Sequence, residues 1–355
     1  MRWTRSFTVI ELLVAAALTA LLAALVLAAV SGLLNQWNRA TGRLGAAAQA
    51  RLVLDQLDQD LQGAILRTDG DVWLAVTVLP GTGLSGQWKP AAVAAQAKPG
   101  NTHPRTLNLA APLLEEARFG VAGVWLRYFT TKPDTNADAA ELSAPVAVGW
   151  QIIRRNVTAN SASPQRYLLF RAEVRRTRTP GGAPGTFEAG YNLDPAAEPA
   201  TPYMNANGTA GDPGNLLRPP LGAAFADHVI DFGVRLFVRE PGGLRLIFPA
   251  QPAAENAAPA GGVLSAAAPP SLETQHLACS VTPAAGDYYR HAFPDVIDVM
   301  LRVLTEEGAR TIAACESGRL QPPGGVAAGD YWWTLAEANS YVFTARIFLQ
   351  SHASP

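Results

Sequence analysis

Glu11 is the side chain whose setting most demands a chemical explanation, because Leu12 to Val30 follows it, a run of 19 residues whose only polar member is Thr19. An ionised carboxylate at the start of such a run costs free energy at depth in a bilayer, so it is kept where a partner neutralises it or where it reaches the interface. The chemistry open to it is ion pairing in a low dielectric, which fixes register between packed helices. Catalytic constellations are missing elsewhere in the sequence. His103, His228, His276, His291 and His352 are scattered, with no H-E-x-x-H and no ligand spacing. Gly81-Thr82-Gly83-Leu84-Ser85-Gly86 fits G-x-G-x-x-G, but Gln87-Trp88-Lys89-Pro90 follows it, so no helix N-terminus is offered to a phosphate. No G-x-S-x-G occurs. Cys279 and Cys315 are too few for a disulfide framework and too far apart for a zinc site; one bridge in an exported domain and two separate buried thiols both fit. No cofactor or metal is expected, and the chain reads as a non-enzyme.

Charge points the same way. Twenty-eight basic residues meet 29 acidic ones, a balance that argues against nucleic acid as a partner, since neutralising phosphates requires a basic excess. The densest basic stretch holds seven Arg between Arg154 and Arg178 and is expected to form exposed strand faces, or else a surface for an acidic partner. Trp332-Trp333 is expected in the core, with a contact patch as the alternative.

These residues need elements to hold them. At 1.5 Å per residue, Leu12–Val30 approaches the ~20 residues that cross a ~30 Å hydrocarbon core. Arg2 and Arg5 precede it and bias the N-terminus to the cytoplasm. The run is longer than the roughly 7–15 residues of a signal-peptide core, and Glu11 stands at its mouth, which argues against a plain secretory signal. Leu54, Leu57, Leu61 and Ile65 recur at helical spacing among Asp55, Asp58, Gln59, Asp60 and Gln62, so the helix is expected to continue to about Arg67 as one amphipathic stripe. Leu33, Leu34, Trp37 and Leu44 are taken as its upstream extension, and Gly42 and Gly45 as a site for a bend.

Ser6-Phe7-Thr8-Val9-Ile10-Glu11-Leu12-Leu13-Val14 resembles the type IV prepilin cleavage and methylation motif. The resemblance implies a cut by prepilin peptidase between Ser6 and Phe7, N-methylation of Phe7, and Glu11 as the assembly carboxylate that pairs with the new α-amine of a neighbouring subunit. Ser6 stands where the family usually has Gly, and Ala28 where major subunits often have Pro.

Beyond the helix, alternating segments predict strands at Val72–Leu79, Val124–Phe129, Val146–Arg154, Arg166–Arg176, Val229–Arg239, Leu244–Phe248, Val296–Leu304 and Tyr341–Leu349. In Val229–Arg239 the residues Asp231, Arg235 and Arg239 are assigned to the polar face. Glu240-Pro241-Gly242-Gly243 reads as a hairpin turn. Breaker-rich insertions fall at 80–104, 179–220 and 250–271. The order of segments in the last third, with Phe293-Pro294 opening a strand, resembles the minor pseudopilin J family of type II secretion systems. It is also similar to the prepilin-type Verru_Chthon cassette protein C group.

The expectation is therefore an α+β, pilin-like fold: a long N-terminal helix, transmembrane in its first half, packed on a C-terminal antiparallel β-sheet domain with long Pro/Gly-rich loops. The expected parts are a cytoplasmic leader at 1–6, a transmembrane segment at 7–30, an amphipathic continuation at 31–67 and a β-rich domain at 68–355. The resemblance implies a minor pseudopilin, placed at the tip of a type II secretion pseudopilus or type IV pilus-like filament. It would start in the inner membrane with its N-terminus in the cytoplasm and its domain in the periplasm. Its implied partners are prepilin peptidase, other pilin subunits, the inner-membrane assembly platform and the lipid bilayer. The alternative is a membrane-anchored periplasmic binding protein that uses the helix only as an anchor.

Overall fold

The computed structural model of the chain describes residues 8–65, 72–78, 108–109, 111–120, 123–132, 144–157, 165–174, 193, 216, 219, 221–249, 276–279 and 294–349. The chain divides into two compact units, Met1–Gly45 and Ala46–Pro355.

Helix α1 is Val9–Gln62, 54 residues, and its helical turns run without interruption through Gly42 and Gly45. In the first unit its large side chains are uncovered, from Val9 and Ile10 through Leu34 and Trp37 to Leu44. Thr19 donates its hydroxyl to the Ala15 carbonyl at 2.6 Å, so the one polar side chain of the apolar run is satisfied within the helix. This is a helix long and apolar enough to cross a membrane.

In the second unit α1 presents Ala46, Ala50, Val53, Leu57 and Leu61 to the core, all buried. Leu57 and Leu61 belong to the expected stripe, with Leu54 and Ile65 packed at its margin. The upstream extension is out of phase. At 100° per residue Leu33, Trp37 and Leu44 fall on the side of the helix opposite Ala46, Ala50 and Val53, and they are exposed. Three small residues, Ala46, Ala50 and Val53, carry the contact instead. The helix also ends short of Arg67. Gly63 closes the last turn on Gln59, and its carbonyl then accepts from the Thr131 amide at 2.8 Å. A Cβ on Gly63 would lie 2.8 Å from the Thr130 hydroxyl, so a close backbone approach fixes the exit.

The described strands form two antiparallel sheets. β1 (Leu74–Val78), β2 (Val124–Lys132), β3 (Ala144–Asn156), β4 (Gln165–Val174), β5 (Ala224–Asp227) and β8 (His276–Cys279) make one sheet in the order β5-β4-β3-β2-β1-β8. β6 (Val229–Glu240), β7 (Gly243–Phe248), β9 (Val296–Leu304) and β10 (Ser340–Phe348) make the other, in the order β10-β9-β6-β7. The eight expected strands are all present, and Pro241-Gly242 makes the β6–β7 turn, with Gly243 at φ +131°. Two helices follow β9, α2 (Glu306–Glu316) and α3 (Ala328–Ala338).

β6 lies against β2, β3 and β4, and its other side is covered too. Asp231 and Arg235, assigned above to a polar face, are buried. The segment 111–120 lies over them: Arg235 donates to the carbonyls of Pro112 at 3.1 Å and of Ala111, and Asp231 accepts from the Phe119 amide at 3.2 Å. Gly233 stands between them in the alternation, and the Phe119 ring occupies the place where its Cβ would be. His228, at φ 61°, carries the chain from one sheet to the other. Its amide donates to Tyr167 of β4 at 2.8 Å and its carbonyl accepts from Leu304 of β9 at 2.9 Å.

Candidate functional site

The first candidate site is the start of α1. Thr8 and Glu11 form a reciprocal cap: the Thr8 amide and hydroxyl both donate to Glu11 Oε2 at 3.0 Å, and the Glu11 amide donates to Thr8 Oγ1 at 3.3 Å. This is the S/T-x-x-E capping box, in which two otherwise unpaired amides at a helix N-terminus are satisfied together. The spacing Thr8-Val9-Ile10-Glu11 was a readable signal for it. Both donors reach one oxygen of the carboxylate. Ser6 and Phe7 lie outside the described residues, as does the Gly81–Gly86 motif.

The second is the junction of α1 with the six-stranded sheet. Asp60, placed by sequence on the polar side of the helix, is 6% exposed. Arg171 of β4 grips it with two donors, Nε to Oδ2 at 2.7 Å and Nη2 to Oδ1 at 2.8 Å. The third nitrogen of the guanidinium, Nη1, donates to Glu173 at 2.8 Å. Tyr128 of β2 donates to Asp60 Oδ2 at 3.3 Å and accepts from Trp150 Nε1 of β3 at 2.9 Å. Gln56 donates to Oδ1 at 2.9 Å, and the Thr130 hydroxyl to the Asp60 carbonyl at 2.6 Å. One carboxylate thus ties the helix to β4 and β2, and through the Tyr128 hydroxyl to β3.

The electrostatics lock this arrangement. Burial and the adjacent Asp60 charge push the Tyr128 phenol well above its ordinary value, so it remains a donor. Burial pulls the Arg171 guanidinium down, but the hydrogen bonds and charge of Asp60, with Glu173, more than reverse this and hold it charged. A bidentate, charge-assisted pair inside a low dielectric is stiff, and losing one partner strands the other.

The arginine stretch therefore behaves differently from the expectation of exposed strand faces. Beside Arg171, Arg154 Nη2 pairs with Glu316 of α2 at 2.8 Å, and Arg155 donates to the Pro219 carbonyl at 3.1 Å. Arg166 lies 3.8 Å from Asp227, and both of these side chains are partly exposed. Arg175, Arg176 and Arg178 lie outside the described residues. Glu316 also accepts from Trp332 Nε1 at 3.1 Å and from the Tyr167 hydroxyl, which seats Trp332 and Trp333 in the core as expected.

Cys279 is buried at the end of β8 and Cys315 is half-buried on α2, and no disulfide joins them. Burial and neighbouring Glu316 push the Cys315 thiol up, away from the reactive thiolate. Among the described residues no group of three His, Cys, Asp or Glu could hold a metal ion. The described residues line a cleft of about 680 Å³ between Pro112–Glu115 and the four-stranded sheet, and a smaller concavity of about 220 Å³ beside α2, lined by Tyr167, His228 and Ile312. In the second, His228 Nε2 lies 3.0 Å from Glu306.

No protein-family model, curated protein or solved structure matches this chain. The architecture itself is pilin-like: a long apolar N-terminal helix followed by antiparallel β-sheets.

Proposed function

We propose that this chain is a non-enzymatic minor subunit of a type II secretion pseudopilus or a type IV pilus-like filament. It enters the inner membrane with its N-terminus inside, is cut between Ser6 and Phe7 by prepilin peptidase and is methylated on Phe7. The assembly platform then packs it against other pilin subunits, with Glu11 paired to a neighbour's α-amine. The long insertions at 80–104, 179–220 and 250–271 suit the tip, where bulk is tolerated. The observation that carries this reading is α1, one helix whose first part is bare and apolar and whose second part is locked onto a sheet by Asp60 and Arg171.

A second reading, a membrane-anchored periplasmic binding protein, is favoured by the Thr8–Glu11 cap, which gives the carboxylate a role inside its own chain. Glu11→Gln separates the two. Glutamine keeps the capping geometry and removes the charge. In a filament subunit it lowers recovery in cross-linked membrane assemblies at least about tenfold, because a charge-assisted pair is lost. In a plain anchor it leaves membrane insertion and binding unchanged, and that outcome overturns the filament reading.

A further inference from the structure

Beyond Val30 the helix stays apolar for a further turn, with Leu33 67% and Leu34 57% exposed, and then presents Trp37 at 71%. That indole stands apart among the described residues, where Trp73, Trp125, Trp150, Trp332 and Trp333 are all buried. Arg39 and Arg43 follow one turn apart, and from Leu12 to Leu54 there is no acidic residue.

We propose that Trp37, Arg39 and Arg43 form a collar that binds the phosphate layer of the leaflet through which α1 leaves the bilayer. The inference rests on the reading of α1 as membrane-spanning. From Ala23, the middle of Leu12–Leu34, to Trp37 is about 21 Å along the helix at 1.5 Å per residue. Half a bilayer is about 15 Å of hydrocarbon and about 20–22 Å with its headgroups. Trp37 therefore falls at headgroup depth, where an indole's apolar ring and N–H donor are both accommodated. Side chains on a helix lean toward its N-terminus, so the guanidinium groups of Arg39 and Arg43 reach back toward the same layer. The occupant is set by charge and by continuity: a wholly cationic stretch adjoining an apolar run matches lipid phosphates.

The test uses the full chain in phosphatidylcholine–phosphatidylglycerol vesicles carrying brominated lipids. Subtracting Trp37→Phe from the unaltered chain isolates the emission of Trp37, and Leu21→Trp reports the middle of the span. Trp37 is expected to be quenched about twofold more by bromines near the headgroup than by bromines at the chain ends, and Leu21→Trp the reverse. Arg39→Glu with Arg43→Glu is expected to cut the shallow quenching of Trp37 about twofold while the deep quenching of Leu21→Trp persists. Quenching of Leu21→Trp without any quenching of Trp37 overturns the collar alone and shows that face covered by protein. Quenching of neither removes the membrane span and the collar with it. Trp37 quenching unmoved by the Arg39 and Arg43 changes overturns their binding to phosphate.

Discussion

Val9–Gly45 and Ala46–Gln62 are parts of one helix, yet Leu13, Leu21 and Leu33 of the first are open while Val53, Leu57 and Leu61 of the second are closed off. Both parts are rich in Leu and Ala, so the content of those two residues does not separate them. Angular distribution does. Between Leu12 and Val30 apolar side chains surround the axis, and a helix that is apolar all round belongs in lipid or in a protein core. Past Gly45 they narrow to one stripe, and Asp55, Asp58 and Gln62 occupy the rest. The second part is also fixed by a specific charge pair, Asp60 with Arg171, rather than by apolar burial alone.

The sharpest way to break this contrast is to strand one member of the pair. Asp60→Leu leaves the Arg171 guanidinium buried with only Glu173, and is expected to lower unfolding stability by about 3 kcal/mol. Urea unfolding of the full chain in detergent, followed by tryptophan emission, measures it, and Trp150 lies within the network. Adding Arg171→Met to Asp60→Leu is expected to restore most of the loss, since both charges are then gone.

A smaller effect is expected from Asp231. Burial raises its carboxyl, with Arg302 and the Phe119 and Phe232 amides pulling partly back, to about 7. The folded chain then holds a proton that the unfolded chain releases near its ordinary value of 3.8. Stability is thus greatest in acid and falls as pH rises toward 7, after which this contribution is flat. Between pH 5 and 8 the loss is about 2 kcal/mol. Asp231→Asn is expected to flatten that slope, which urea midpoints at the two pH values would report.

The smallest effect sharpens the comparison from the other side. Leu33→Ser with Leu44→Ser alters exposed positions in the first unit and is expected to shift domain unfolding by less than about 0.5 kcal/mol. The same measurement on Leu57→Ala is expected to show a loss of about 2–4 kcal/mol.

Much of this fold was legible because its signals are periodic. The apolar run, the alternation in β2, β3, β4, β6 and β9, and the Pro241-Gly242 turn are local patterns with local causes. What sequence missed depends on tertiary context. β5 and β8 have four residues each, too few for alternation to show. Thr305 followed by Glu306-Glu307 is a legible helix start for α2, which the strand pattern alone does not include, and the Thr305 hydroxyl does accept from the Gly308 amide at 3.0 Å. Asp60, Arg171, Asp231 and Arg235 read as outward-facing because polar residues that alternate with apolar ones suggest a solvated face. Here both faces of the strands are covered, and the charges are buried in pairs or on backbone groups. The phase difference in α1 has a similar origin: leucines dominate the apolar pattern of the sequence, although Ala46 and Ala50 carry the contact and allow the closer approach.

The central claim is that α1 is a processed filament helix rather than a simple anchor. Its most direct test is N-terminal sequencing with intact-mass analysis of the full chain, expressed with and without prepilin peptidase. The account predicts a chain that begins at methylated Phe7 only when the peptidase is present. A chain that keeps Met1 under both conditions, or one that starts near Gly32, would contradict it.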